Sequence, residues 1–164
     1  MTELIPFASD IPETDLTDLS TRLALTRLPE AETVEDWSQG IPLAYIKEIL
    51  DYWRQDYDWR RAEARLNQFA QFKTELDGLG IHFIHVRSSA ADALPLIMTH
   101  GWPGSVFEFL KVIDPLTNPA AHGGNAADSF HVVCPTLPGF GFSDKPASTG
   151  WGIEKIGAEW GNLM

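Results

Sequence analysis

Cysteine is nearly absent from this chain: Cys134 stands alone among 164 residues, so no internal disulfide can form and a stapled secreted scaffold is excluded. Basic residues are also few. Twelve lysines and arginines face 23 acids, for a net charge of −11, and so acidic a chain is a poor match for a phosphate backbone. Nucleic acid is therefore excluded as a partner. No apolar run approaches the eighteen or so residues of a membrane span, and Met1 to Phe7 lacks a basic n-region, so we expect a soluble cytoplasmic protein without a membrane segment. Internal repeats and low-complexity tracts are missing. No Gly-x-Ser-x-Gly elbow occurs, and Gly139-Phe140-Gly141 lacks the third glycine and opening helix of a dinucleotide site. His82 and His85 lie three apart on a strand, where side chains point to opposite faces, and His122 has no partner at ligand spacing. No metal and no cofactor are expected.

What remains is a core-forming sequence. Apolar residues make up 44% of it and six are tryptophan, enough for one core or for a helical layer with part of an α/β sheet. The acids at Glu13-Thr14-Asp15 and Glu30-Ala31-Glu32 suit a solvated helix face. Cys134 ends an apolar run and reads as an inert core residue.

Three helices come first. Leu16, Leu19 and Leu23 repeat at helical spacing after Thr14 as N-cap and before Pro29. A second helix opens near Pro42 and carries Leu43, Ile46, Ile49, Leu50 and Trp53 on one face; a third runs from about Asp58 through Trp59, Ala62, Leu66 and Phe69. The meander from Glu32 to Gln39 is expected to be anchored by Trp37. Then the period changes. Asp77-Gly78 between Gln71–Leu76 and Leu79–Arg87 signals a type I′ hairpin, whose second arm is apolar on both faces and should be covered on both. Leu94 to Thr99 reads as a buried strand. Ser105 reads as the N-cap of a helix with Glu108 at the capping-box position and Pro115 at its end, followed by a flexible loop from Asn118 to Asp128. A strand closes at Cys134, and a last helix starts near Gly152. Helices on an open sheet, an α/β fold, are the layer solution that this order suggests.

Two loops follow strand ends, where α/β enzymes place ligands: His100-Gly101-Trp102-Pro103-Gly104-Ser105 and Pro135 to Asp144. The first can present backbone N–H groups to a developing oxyanion, with Gly101 allowing a sharp turn and a close approach, Pro103 fixing direction and Ser105 opening a helix. It can equally be a plain strand–helix connector. In the second, Phe140 and Phe142 line a pocket or pack beneath one, or the loop is structural throughout.

At these residues the chain resembles the epoxide hydrolase family of α/β-hydrolases, in its microsomal-type branch. Tyr45-Ile46-Lys47 through Tyr52-Trp53, Asp58-Trp59-Arg60 and Leu66-Asn67-Gln68-Phe69 resemble that branch's N-terminal helical domain. His100 to Ser105 matches its oxyanion motif, Pro138 to Ser143 the next signature, and Trp151 to Ile156 the helix that leads toward the nucleophile strand. The resemblance implies a helical N-terminal domain at 1–70 and the first half of an α/β-hydrolase sheet at 71–164. It implies cofactor-free hydrolysis of a small apolar epoxide by water through an alkyl-enzyme ester, with the Trp102 backbone N–H, in a loop with His100, Gly101 and Pro103, as oxyanion donor. It also implies a cis Trp102–Pro103 bond. The nucleophilic aspartate, the acid, the histidine and the cap tyrosines are expected beyond Met164, so these residues alone are expected to be inactive. Without its continuation, the strand at Leu94–Thr99 is expected to keep an open edge, and the helix with Val106, Phe109, Leu110 and Ile113 a partly bare apolar face. A stand-alone binding module, or part of an esterase or dehalogenase, are the alternatives.

Overall fold

The computed structural model describes residues 3–164. Contacts divide the chain into two units, residues 10–63 and residues 64–164 together with the N-terminal stretch ending at Ser9.

In the first unit, α1 (Glu13–Ala24) and α2 (Leu43–Gln55) each start directly after a proline, Pro12 and Pro42. Proline pre-sets the φ of a helical entry, so Thr14 lies inside the first turn instead of capping it. For α2 the cap comes from further away: the Glu32 carboxylate accepts the Leu43 N–H at 2.9 Å. That bond is the main reason the Glu32 carboxyl is held below its ordinary pKa. Trp37 is 60% exposed, with its ring against Tyr45, so it does not anchor the meander as expected. Neither α1 nor α2 buries a single residue. Leu16, Leu19 and Leu23 face Ile49, Trp53 and Trp59 across an open apolar groove of about 580 Å³. At its end, the buried Glu63 carboxylate accepts the Ile11 N–H at 2.8 Å and pairs with Arg60 at 2.7 Å.

α3 (Trp59–Leu66) leads into the second unit, a five-stranded mixed sheet of order β1-β2-β3-β5-β4. The strands are β1 (Ile5–Phe7), β2 (Gln71–Leu76), β3 (Leu79–Val86), β4 (Leu94–Ile97) and β5 (Phe130–Pro135). The hairpin forms as expected, with Asp77 and Gly78 at φ 45° and 76°, the two positive values that a type I′ turn requires. β1 has no sequence signal. It is three residues long and contains Pro6, which an edge strand tolerates. β4 runs parallel to β5 and forms the other edge; it is shorter than expected and not buried, with Leu94 66% exposed.

Both faces of the sheet are covered. On one, Ile84, Val132 and Cys134 pack with Leu66, Val106, Leu110 and Ile113. The expected bare face of the 106–113 segment is therefore mostly covered: Val106, Leu110 and Ile113 are buried, and Phe109 is half-buried. On the other, Leu76, Leu79 and Ile81 pack under Trp160 of α5 (Ile153–Leu163). The segment after Ser105 is a 3-10 turn, Val106–Phe109, carrying the predicted capping box, and then α4 (Ile113–Thr117). Pro115 does not end this helix. It is its third residue, where a missing N–H breaks no intrahelical bond. Residues 118–128, expected as a flexible loop, contain two 3-10 turns, the second capped by Asn125 at 3.0 Å. Among the described residues no helix is long and apolar enough to cross a membrane.

Candidate active site

The loops after β4 and β5 leave the carboxyl ends of two adjacent parallel strands, and they are bonded to each other. His100, buried at the start of the first, accepts the Leu137 N–H on Nε2 at 3.1 Å, and Phe140 meets its ring edge-on at 5.6 Å. Its Nδ1 faces the Gly101 carbonyl at 3.2 Å. The Gly104 N–H donates to the same carbonyl at 2.6 Å, which closes the turn. The Trp102–Pro103 bond is cis, and the Trp102 side chain is 82% exposed. The Trp102 N–H donates to no acceptor among the described residues.

Glycine is needed at a different place from the one the sequence suggests. Gly101 has no positive φ, and a Cβ there meets nothing, so no sharp turn depends on it, although space for a close approach is open. Gly104 is the restricted position. A Cβ on it collides with the Glu108 carboxylate and comes within 2.9 Å of the Gly101 carbonyl. Glu108 cannot move away freely, because its Oε1 accepts the Ser105 N–H at 3.1 Å in the capping box.

The second loop is held at both ends by His82, which sequence reasoning considered only as a metal ligand and dismissed. The Thr136 N–H donates to the His82 carbonyl at 2.8 Å, and the His82 N–H donates to Ser143 Oγ at 3.0 Å. Ser143 in turn donates to the Thr136 carbonyl at 2.8 Å. The His82 ring is fully buried between Phe7 and Phe142. Its Nε2 meets Gln71 Oε1 at 3.0 Å, an atom that only accepts, so the proton sits on Nε2 and Nδ1 accepts from Thr136 Oγ1 at 2.7 Å. The chain of bonds continues through Gln71 to Asn67, and from Asn67 to both backbone groups of Ser9. Burial, and secondarily the charge of Lys73, lowers the His82 pKa to about 4. A signal was available: a histidine inside the apolar run Ile81-His82-Phe83-Ile84 has to find polar partners. Asp144 ties down the loop exit, accepting the Gly80 N–H on Oδ2 at 3.2 Å and donating its own N–H to the Gly80 carbonyl at 2.8 Å.

Other reactive groups lie elsewhere. Cys134 is buried and its thiol is pushed up to about 12 by desolvation, as an inert core residue should be. His122 does have a partner, but it is Asp114, at 2.6 Å on the surface. Among the described residues no cluster of histidine, cysteine or acid is placed to hold a metal ion.

This pair of loops sits in a chain whose residues 4–109 match the family profile of the epoxide hydrolase N terminus. The chain belongs to the epoxide hydrolase family. It is 60% identical over 98% of its length to a candidate epoxide hydrolase of Stigmatella aurantiaca, of which it covers 37%. It is 39% identical over 89% of its length to epoxide hydrolase 1 of Sus scrofa, of which it covers 33%. The chain thus spans about a third of the length of these relatives. Among solved structures, juvenile hormone epoxide hydrolase of Bombyx mori superposes on all of this chain, and on 43% of its own, with a TM-score of 0.84 and 32% identity. The Aspergillus niger epoxide hydrolase covers 90% of this chain, which matches 38% of that enzyme, with a TM-score of 0.78 and 35% identity. The helices and mixed sheet of this epoxide hydrolase family member are thus the N-terminal part of an α/β-hydrolase fold.

Proposed function

We propose that these residues form the amino-terminal part of an epoxide hydrolase that opens small apolar epoxides to vicinal diols without a cofactor, acting in the cytoplasm. In this reading residues 1–70 are its helical domain and 71–164 begin its catalytic core. A carboxylate from the rest of the enzyme attacks an epoxide carbon, the ring C–O bond breaks, and the alkoxide takes a proton from an acid. Water, activated by a histidine–acid pair, then adds to the carbonyl carbon of the ester. The tetrahedral oxyanion collapses to release the diol and restore the carboxylate. The Trp102 N–H is the donor that this chain offers to that oxyanion, and such donors typically contribute about 3 kcal/mol each to the transition state. One observation carries this reading: 60% identity over 98% of the chain, running through both loops.

The test is to express residues 1–164 and a longer polypeptide that continues through the remaining length of the relatives, and to follow styrene oxide. The longer chain is expected to form the diol and residues 1–164 to form none. Heat-labile turnover by residues 1–164, or a longer chain that cleaves esters but leaves epoxides untouched, overturns the proposal.

A further inference from the structure

The Gly101 carbonyl and the Trp102 N–H are opposite sides of one peptide unit. The unit is planar, so whatever fixes the carbonyl fixes the direction of the N–H. Two donors converge on that carbonyl, the Gly104 N–H at 2.6 Å and His100 Nδ1 at 3.2 Å. A carbonyl oxygen has two lone pairs, and here both are engaged. His100 can donate from Nδ1 only while Nε2 is unprotonated. The Leu137 N–H, pointing at Nε2 from 3.1 Å, enforces that tautomer. Leu137 is itself held in place, because Thr136 beside it is bound to His82 through its N–H and its hydroxyl.

We propose that His100 is a positioning residue: its Nδ1–H, held on that nitrogen by the Leu137 N–H, pins the Gly101 carbonyl and thereby aims the Trp102 N–H at the developing oxyanion. His100 is buried, and in this role it acts through the peptide plane. The inference rests on the epoxide hydrolase reading, and it says which of the two chemical steps depends on this histidine. Attack on the epoxide creates its negative charge on the epoxide oxygen. Only hydrolysis of the ester creates an oxyanion on the carboxyl group that the Trp102 N–H serves. Loss of the pin therefore slows the second step alone.

The experiment uses the longer enzyme with His100→Asn, His100→Gln and His100→Ala. Asparagine keeps an amide donor near the position of Nδ1. Glutamine keeps an acceptor for Leu137 and loses the near donor. His100→Gln and His100→Ala should lower kcat by roughly ten- to a hundredfold, less than or equal to the effect of removing an oxyanion donor outright. KM should fall with kcat as the ester accumulates, which leaves kcat/KM unchanged, and His100→Asn should stay within a few-fold of wild type. A general loosening of the fold would lower kcat/KM as well, and that result overturns the proposal, as does equal loss in the Asn and Gln variants. Nitrogen NMR of histidine-labelled enzyme gives a readout independent of turnover. The tautomer protonated on Nδ1 is expected, and one protonated on Nε2 overturns the proposal. A wild-type enzyme that opens no epoxide sinks the functional reading, while the tautomer still decides the geometry.

Discussion

Nδ1 of His82 and Oγ1 of Thr136 lie 2.7 Å apart, both fully enclosed, although 54 residues separate them in sequence. This contact joins the middle of the sheet to the first residue of the loop that carries Leu137 and Phe140. The loop's first residue is thus tied to a buried, titratable ring.

The pH dependence of stability that this ring brings is fixed by burial. With its pKa lowered to about 4 in the fold and near 6.5 in the unfolded chain, His82 binds more protons when unfolded across that interval. Its contribution to stability is complete above pH 6.5 and is lost as the pH falls toward 4. The loss is on the order of 3 kcal/mol, and below pH 4 this group adds no further change. Urea unfolding of the longer polypeptide between pH 7 and pH 4 should show this decline. In His82→Gln, which cannot titrate, the slope should be smaller by that amount; parallel slopes in the two proteins contradict the assignment.

Gly104→Ala should destabilise the first loop by about 1–3 kcal/mol, the usual range for forcing extra atoms into a packed position. Removing Glu108 as well relieves one of the two collisions and at the same time breaks the capping box. The double variant Gly104→Ala/Glu108→Ala should therefore be more stable than the sum of the two single losses predicts. Strict additivity in thermal or urea unfolding shows that the carboxylate is not what excludes a side chain at Gly104.

The groove between α1 and α2 leaves Leu19, Ile49, Tyr52 and Trp53 substantially exposed. At roughly 25 cal/mol per Å2, a few hundred Å2 of bare apolar surface forfeits several kcal/mol, comparable with the stability of a domain. The open edge at β4 adds a template for association. Residues 1–164 by themselves should bind ANS strongly and aggregate, and co-expression with a polypeptide that supplies the remaining length of the relatives should suppress both. Sharp cooperative unfolding of a monomer without ANS binding is the result that contradicts this.

The parts of this fold that the sequence announces are those whose cause is local. Asp77-Gly78 demands positive φ at two successive residues, and Ser105 with Glu108 closes a capping box within one turn, so both are visible in short strings. The failures share a different cause. Pairing of β1 with β2 joins Ile5 to Lys73, and no pattern three residues long reports a partner at that distance. Trp37 looks like an anchor by composition, yet burial depends on what surrounds it. At the site, the motif marked the right loop but the wrong glycine, because the crowding at Gly104 comes from the Glu108 side chain folding back. The role of His82 was hidden for a similar reason: its partners Gln71, on β2, and Thr136 and Ser143, in the second loop, lie far from it in sequence.

The Asn67 side chain reads both backbone groups of Ser9, accepting its N–H on Oδ1 at 2.9 Å and donating from Nδ2 to its carbonyl at 2.8 Å. An amide side chain here does what a neighbouring strand does elsewhere, so the chain leaves the sheet and rejoins it at almost the same point. From the sheet's side, α1, α2 and the start of α3 are an insertion between two adjacent strands. β1 reaches its partner β2 only across that insertion, with Ile5 set beside Lys73. Asn67 is the fastening that holds the exit from β1 beside the entry to β2.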